Sequence, residues 1–141
     1  MILLDSDHLT AYSYRDHPRA EALNNRLQAA GEPVGLTVIS VEEQMRGWLA
    51  EIKKHRDVFE QISAYDRLIK MLHFFQEWTI VRLGEAASEE FTRLKKMKVR
   101  VGTQDLKIAA ITLAQDALLL SANLRDFRKV PGLRVENWLS T

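Results

Sequence analysis

Short apolar runs alternating with longer helical patterns predict an α/β chain built on a parallel sheet. Three observations carry that expectation. Four apolar segments are each too short to be a helix: Met1–Asp5, Gly35–Ile39, Trp78–Leu83 and Ala117–Leu120. Amphipathic stretches of a dozen or more residues separate them. The runs are mostly apolar rather than alternating, as strands covered on both faces require. The expected architecture is a mostly parallel sheet of four or five strands with helices on both sides and right-handed crossovers.

Met1–Asp5 ends its apolar run in an acid and reads as the first strand. Asp16–Ala30 reads as a helix with Pro18 in its first turn, Ala22, Leu23, Leu27 and Ala30 on one face, and Gly31 as its stop. Gly35–Ile39 is the second strand. Ser40 is the expected N-cap of a helix over Val41–Lys54, with Glu42 and Glu43 in its first turn. Arg56–Gln76 is a long helix with Val58, Ile62, Tyr65, Leu68, Ile69 and Leu72 on one face. Ordinary core packing is the expected use of that face. Trp78–Leu83 is the third strand and Glu85–Met97 a helix. Gly102 and Thr103 open the helix Gln104–Gln115, Ala117–Leu120 is the fourth strand, and Leu133–Val135 a short fifth.

Composition narrows the chemistry. The 141 residues match one domain of the usual ~100–200, so 1–141 reads as a single unit. With 46% hydrophobic residues the chain can bury a sizeable core. No cysteine is present, which excludes disulfides, thiolate metal sites and a cysteine nucleophile. The net charge of +1 creates no global field, so any preference for a charged partner must come from local clusters. The start MILLDSDHLT lacks the basic residues and long apolar run of a signal peptide, and no run is long enough to span a membrane. The expectation is a cytoplasmic protein without a membrane partner.

In parallel α/β sheets, ligands bind beyond the carboxyl ends of the strands. There the chain delivers acids: Asp5 and Asp7 after the first strand, Glu42 and Glu43 after the second, Asp105 at a helix start, and Asp126 after the fourth. Each alone reads equally as a cap or turn residue. Brought together, they would repel one another, and a divalent cation relieves that repulsion. Oxygen-only ligands favour Mg²⁺ or Mn²⁺. The histidines, His8, His17, His55 and His73, share no metal-ligand spacing and read as surface or packing residues.

These residues carry a family resemblance over nearly the whole chain. Leu3-Leu4-Asp5-Ser6-Asp7, with its preceding apolar residues, resembles the LLDTN opening of the PIN-domain ribonucleases, especially the VapC-type toxins. Glu43-Gln44-Met45-Arg46-Gly47 is similar to their Glu-Leu-x-x-Gly segment. Asp105-Leu106-Lys107-Ile108-Ala109-Ala110 is similar to Asp-x-x-Ile-Ala-Ala. The stretch Leu119–Phe127, followed by Val130–Leu133 and Glu136–Trp138, resembles the family's tail. Asp7 stands where the family commonly has Asn, Gln44 where it has Leu, and Ser121 where it often has Thr.

The resemblance implies a three-layer PIN-like fold and a metal-dependent endoribonuclease that is the toxin of a toxin–antitoxin pair. It implies Asp5, Glu43 and Asp105 as catalytic metal ligands. The fourth acidic position is either Asp126 or is filled by Asn123, and Asp126 is preferred. Ser121, Asn123 and Arg46 are candidate contacts to substrate. So is the basic stretch containing Lys95, Lys96 and Lys98, which also holds Arg93 and Arg100; Arg125, Arg128, Lys129 and Arg134 form a second cluster. Arg46 equally reads as a partner of Glu42 at i+4. The expected partners are RNA, a cognate antitoxin and a second copy in a homodimer, for which Phe59, Tyr65, Phe74 and Phe75 offer apolar surface. Two other functions compete. Asp5-x-Asp7 after a strand resembles the nucleophile motif of haloacid-dehalogenase-like phosphohydrolases, though Leu9 departs from it. A PIN-like module that binds RNA or protein without cleaving is the third reading. No Gly-x-Gly-x-x-Gly follows the first strand, which disfavours a dinucleotide site.

Overall fold

The computed structural model describes residues 1–13 and 18–139. Its centre is one five-stranded sheet, parallel at every pairing: β1 (Ile2–Leu4), β2 (Val34–Thr37), β3 (Thr79–Val81), β4 (Leu118–Leu120) and β5 (Arg134–Glu136). The spatial order is β3-β2-β1-β4-β5. The chain builds outward from β1 to β3, then crosses to the other side of β1 for β4 and β5. The order therefore reverses at the β1/β4 seam, where open parallel sheets place their ligands.

Seven helices are described: α1 (Ser6–Ser13), α2 (Ala20–Ala30), α3 (Val38–Lys54), α4 (Val58–Gln76), α5 (Glu85–Lys96), α6 (Thr103–Ala114) and α7 (Leu124–Phe127). They make the outer layers. Alternation along β1 sends Leu3 to one face and Ile2 and Leu4 to the other. Leu3 and Leu119 pack with Leu94, Leu106, Ile108, Ile111 and Phe127, from α5, α6 and α7. Ile2, Leu4 and Leu120 pack with Leu9, Leu23, Leu27, Met71 and Phe75, from α1, α2 and α4. Helix α3 touches both sides, contributing Ile39 to the first cluster and Met45 and Trp48 to the second.

Several elements depart from the sequence expectation. A helix, α1, begins immediately after Asp5, where none was expected. Its polar start, Ser6-Asp7-His8, reads as loop, yet His8, Leu9 and Ala11 are buried. Asp16 and His17 lie outside the described residues. The second helix is seen from Ala20, with Pro18 in a turn before it. The second strand ends at Thr37, and Val38 and Ile39 are already helical. Thr37, not Ser40, is the N-cap: its Oγ1 accepts the Ser40 N–H at 3.2 Å, a contact of about 1 kcal/mol. Glu42 and Glu43 consequently stand in the second turn of α3. The fifth strand is displaced by one residue.

The largest correction concerns α4. Of the side chains expected in the core, Leu68 is partly buried against it, but Val58, Ile62, Tyr65, Ile69 and Leu72 are exposed, and Phe59 is the most open at 77%. The buried residues are Ala64, Met71 and Phe75, on the side of the helix that Leu68 borders. At the sheet edge beside it, Gly35 permits a close approach that other residues do not. A Cβ there would lie 2.8 Å from the Thr79 carbonyl oxygen on β3.

Candidate functional site

The site is assembled from the residue after β1, the second turn of α3, the first turn of α6 and the turn after β4. All lie at the carboxyl edge, because α6 runs back against the strands and brings its first turn there. Asp5 is buried, and its N–H continues the sheet by donating to the Leu120 carbonyl at 2.9 Å. Its Oδ1 accepts the Ser6 N–H at 2.9 Å, and its Oδ2 accepts the Ser121 hydroxyl at 2.8 Å. The Ser6 hydroxyl donates to Glu43 Oε2 at 3.4 Å. Asn123 donates from Nδ2 to Asp126 Oδ2 at 3.1 Å and to Asp105 Oδ2 at 3.4 Å.

Electrostatics show which carboxylates face one another. Burial, foremost, and the charges of Asp7 and Asp105 raise the Asp5 carboxyl above the ordinary aspartate value, against hydrogen bonds from Ser121 and Ser6. Glu43 is raised by burial, then by Asp5 and Asp105. Asp105 is raised by burial, then by Asp126 and Asp7, with the Asn123 amide opposing. Asp126 moves the other way, lowered by hydrogen bonds from Asn123 and Lys129. Asp5, Glu43 and Asp105 thus destabilise one another's charge across a common space. Among the described residues no three Asp, Glu or His groups are drawn into a closed ligand set. An oxygen-only, mutually repelling donor set fits a hard cation that keeps several waters, so that not every acid has to touch it.

The other candidate contacts fall out differently. Ser121 is fully buried. Its hydroxyl donates to Asp5 and accepts the Asn123 N–H at 3.0 Å, so it orients site groups rather than meeting a substrate. Arg46 pairs with Glu42 through Nη2 and Oε2 at 2.5 Å, the i+4 alternative, with its side chain 67% exposed. Gln104 donates to the other Glu42 oxygen at 2.8 Å, tying α6 to α3 beside Glu43 and Asp105. Lys95, Lys96 and Lys98 are exposed at the end of α5 and in the turn beyond. Lys129 donates to the Arg100 carbonyl and to Asp126 Oδ1, both at 3.4 Å, so the two basic segments meet at the acidic edge. A cavity of about 470 Å³ opens beside Glu43, lined by Gln44, Gly47, Trp48, Glu51 and Arg67.

Two residues hold partners that the sequence did not assign to them. Asp7 accepts the Ala122 N–H at 2.9 Å and contacts His8, which is fully buried. Burial pushes the Asp7 carboxyl up, but hydrogen bonds from His8 and Ala122 more than offset it, and the net shift is downward. No spacing rule signals this pairing, because Ala122 lies 115 residues away.

No family model matches the chain. Ribonuclease VapC2 of Rickettsia felis is 25% identical over 138 residues, covering 98% of both chains. Ribonuclease VapC1 of the same organism is 29% identical over 84 residues, covering 54% of this chain and 63% of that one. Among solved structures, VapBC2 from Rickettsia felis bound to a promoter DNA fragment superposes with a TM-score of 0.65 and 23% identity, covering 98% of this chain and 99% of that one. FitAcB from Neisseria gonorrhoeae gives 0.70 at 19% identity over the whole of both chains. These structural likenesses concern the fold: a five-stranded parallel sheet between helices. No described helix is long and apolar enough to cross a membrane. The parallel sheet, the acids at its β1/β4 seam and a relative matched from end to end together make the chain similar to the VapC-type ribonucleases.

Proposed function

We propose that this protein is a Mg²⁺- or Mn²⁺-dependent endoribonuclease, the toxin half of a toxin–antitoxin pair. The observation that carries the reading is the mutual repulsion of Asp5, Glu43 and Asp105 at the seam between β1, β2 and β4. A bound divalent cation would supply a polarised phosphate and an attacking water of lowered pKa. Asp5, Glu43 and Asp105 would hold it, with Asp126 contributing through water and through Asn123, which bridges it to Asp105. Ser121 fixes the Asp5 carboxylate; a hydrogen bond to a charged group contributes about 1.5–3 kcal/mol. Lys95, Lys96, Lys98 and the segment around Arg128 and Lys129 would track the phosphates of a single strand. Arg46 can join them by exchanging Glu42 for phosphate.

The named relative is a ribonuclease, and the structural neighbours are complexes of toxin-type chains with VapB- or FitA-type partners. By that likeness, the partners of this chain are an antitoxin and a second copy. The exposed face of α4, with Phe59, Ile62, Ile69 and Leu72, supplies apolar surface for such contacts. A cytoplasmic site of action belongs to the same reading. The phosphohydrolase alternative needs a free Asp7 beside Asp5, and here both Asp7 oxygens are engaged.

The test is incubation of the purified full chain with total cellular RNA and Mg²⁺, with new 5′ ends mapped by sequencing. Discrete new ends that vanish in EDTA and in Asp5→Asn are expected. Wild-type protein that binds Mg²⁺ yet leaves RNA intact would favour the non-cleaving module. A trapped phospho-aspartate at Asp5 would instead favour the phosphohydrolase.

A further inference from the structure

Asp7 and His8 take no part in the reading above, yet they sit in a continuous polar chain that ends at the site. His8 Nε2 accepts the Trp138 N–H at 3.0 Å. A ring nitrogen that accepts carries no proton, so His8 is neutral with its proton on Nδ1. Nδ1 faces Asp7 Oδ1 at 2.5 Å, and Asp7 Oδ2 accepts the Ala122 N–H at 2.9 Å. Ala122 lies between Ser121, whose hydroxyl holds Asp5, and Asn123, whose amide spans Asp105 and Asp126. Both groups hydrogen-bonded to the Asp7 side chain are donors, while the Asp5 and Asp105 carboxylates act on it only through charge. A carboxylate accepts in both directions, whereas a carboxamide has only one accepting atom.

The geometry points to Asp7 and His8 as positioning residues that tie the segment after β5 to the turn after β4, and through that turn set Ser121 and Asn123 against the site acids. The structural part stands alone; its consequence for cleavage rests on the ribonuclease reading.

Asp7→Asn tests the relay through its near-isosteric shape. If the new NH₂ turns toward His8, the ring must move its proton to Nε2, against the Trp138 N–H. If it turns toward Ala122, two donors face each other there. We expect kcat at saturating Mg²⁺ to fall at least about tenfold, with KM within about twofold. His8 should lose its Nδ1–H signature in nitrogen NMR, or the Ala122 amide resonance should shift. Should Asp7→Asn fail to fold, a second pair decides. Trp138→Pro and Trp138→Ala both remove the indole, but only proline removes the N–H. The proline variant should lose severalfold more kcat than the alanine variant. Wild-type kcat in Asp7→Asn with His8 still protonated on Nδ1, a loss confined to KM, or equal losses in the two Trp138 variants would overturn the inference. If the wild-type chain cleaves no RNA, the ribonuclease reading fails and NMR alone judges the relay. Displaced Ser121, Ala122 and Asn123 amides in Asp7→Asn then support it, and unmoved ones overturn it.

Discussion

The carboxylates at the edge of the sheet fall into an inner and an outer group. Asp5, Glu43 and Asp105 face one another, and their protonation is favoured. Asp7, Glu42 and Asp126 stand around them, and their ionisation is favoured. The outer three are met by donors: Ala122 and His8 at Asp7, Gln104 and Arg46 at Glu42, Asn123 and Lys129 at Asp126. The inner three have hydroxyl, amide or backbone contacts but no cationic side chain within ion-pair distance among the described residues. A carboxylate satisfied by protein donors braces the fold. One left facing its own kind is arranged for a cation from outside.

The largest expected contrast is in activity. Asp5→Asn should lower single-turnover RNA cleavage by roughly 100-fold or more, since an inner acid is lost. Its metal-free melting temperature should hold or rise, because a repelled charge is removed. Glu42→Gln, on the outer side, should stay within a few-fold. Wild-type rates in folded Asp5→Asn would dissolve the distinction between the groups.

Asp126 is the boundary case, held by donors yet raising Asp105. We expect Asp126→Asn to reduce cleavage about tenfold, more than Asn123→Ala does, while Asn123→Asp preserves activity. A variant Asp126→Asn that melts earlier but cleaves normally would assign it wholly to bracing.

Metal should act on the inner group alone. At a concentration 100 times its dissociation constant, Mg²⁺ should stabilise the fold by about 2.7 kcal/mol. Calorimetry should show the gain shrinking in Asp105→Asn and persisting in Glu42→Gln.

The two groups also respond oppositely to pH. The inner acids have native values above their unfolded ones. Their contribution to stability is present below the ordinary carboxylate range and is lost as pH rises through the raised values. The outer acids have lowered native values, so theirs is present above that range and is lost as pH falls through them. Urea unfolding in EDTA between about pH 4 and pH 7 should show a component that declines as pH rises, and Asp5→Asn should reduce it.

Much of the inner group was legible because its neighbours in sequence announce it. Asp5 closes an apolar run, Asp105 stands in the first turn of a helix, three residues after Gly102, and both sit in segments that resemble the family. Within the outer group, Asp7 was the least legible because its meaning lies in partners far along the chain. Asp7 meets Ala122 at a separation of 115 residues, and His8 meets Trp138 at 130. Asp7 in place of the family's common Asn looked like a departure. In space it is what two facing donors require. The face of α4 was misjudged for another reason: helical spacing shows which side chains share a side, not whether anything in the same chain covers them. The strand order, which decides whether the acids meet at all, is a long-range property that no local pattern contains.

Gly35 has a consequence for how the molecule opens. Edge strand β3 is joined to the sheet only by β2, at Gly35, Leu36 and Thr37. The missing side chain at Gly35 is what lets the Thr79 carbonyl come so near. Helix α4, which leads into β3, is anchored by three buried side chains, with Leu68 and Phe74 partly buried beside them. Strand and helix therefore form the natural unit of sub-global unfolding, while the β1–β4 ladder carrying Asp5 and Ser121 stays closed. Amide protons of Thr79–Val81 and Val58–Gln76 should exchange with solvent sooner than those of Ile2–Leu4 and Leu118–Leu120. Gly35→Ala should widen that gap, giving the chain a loosened flank beside an intact seam; equal exchange in both regions would refute this order of opening.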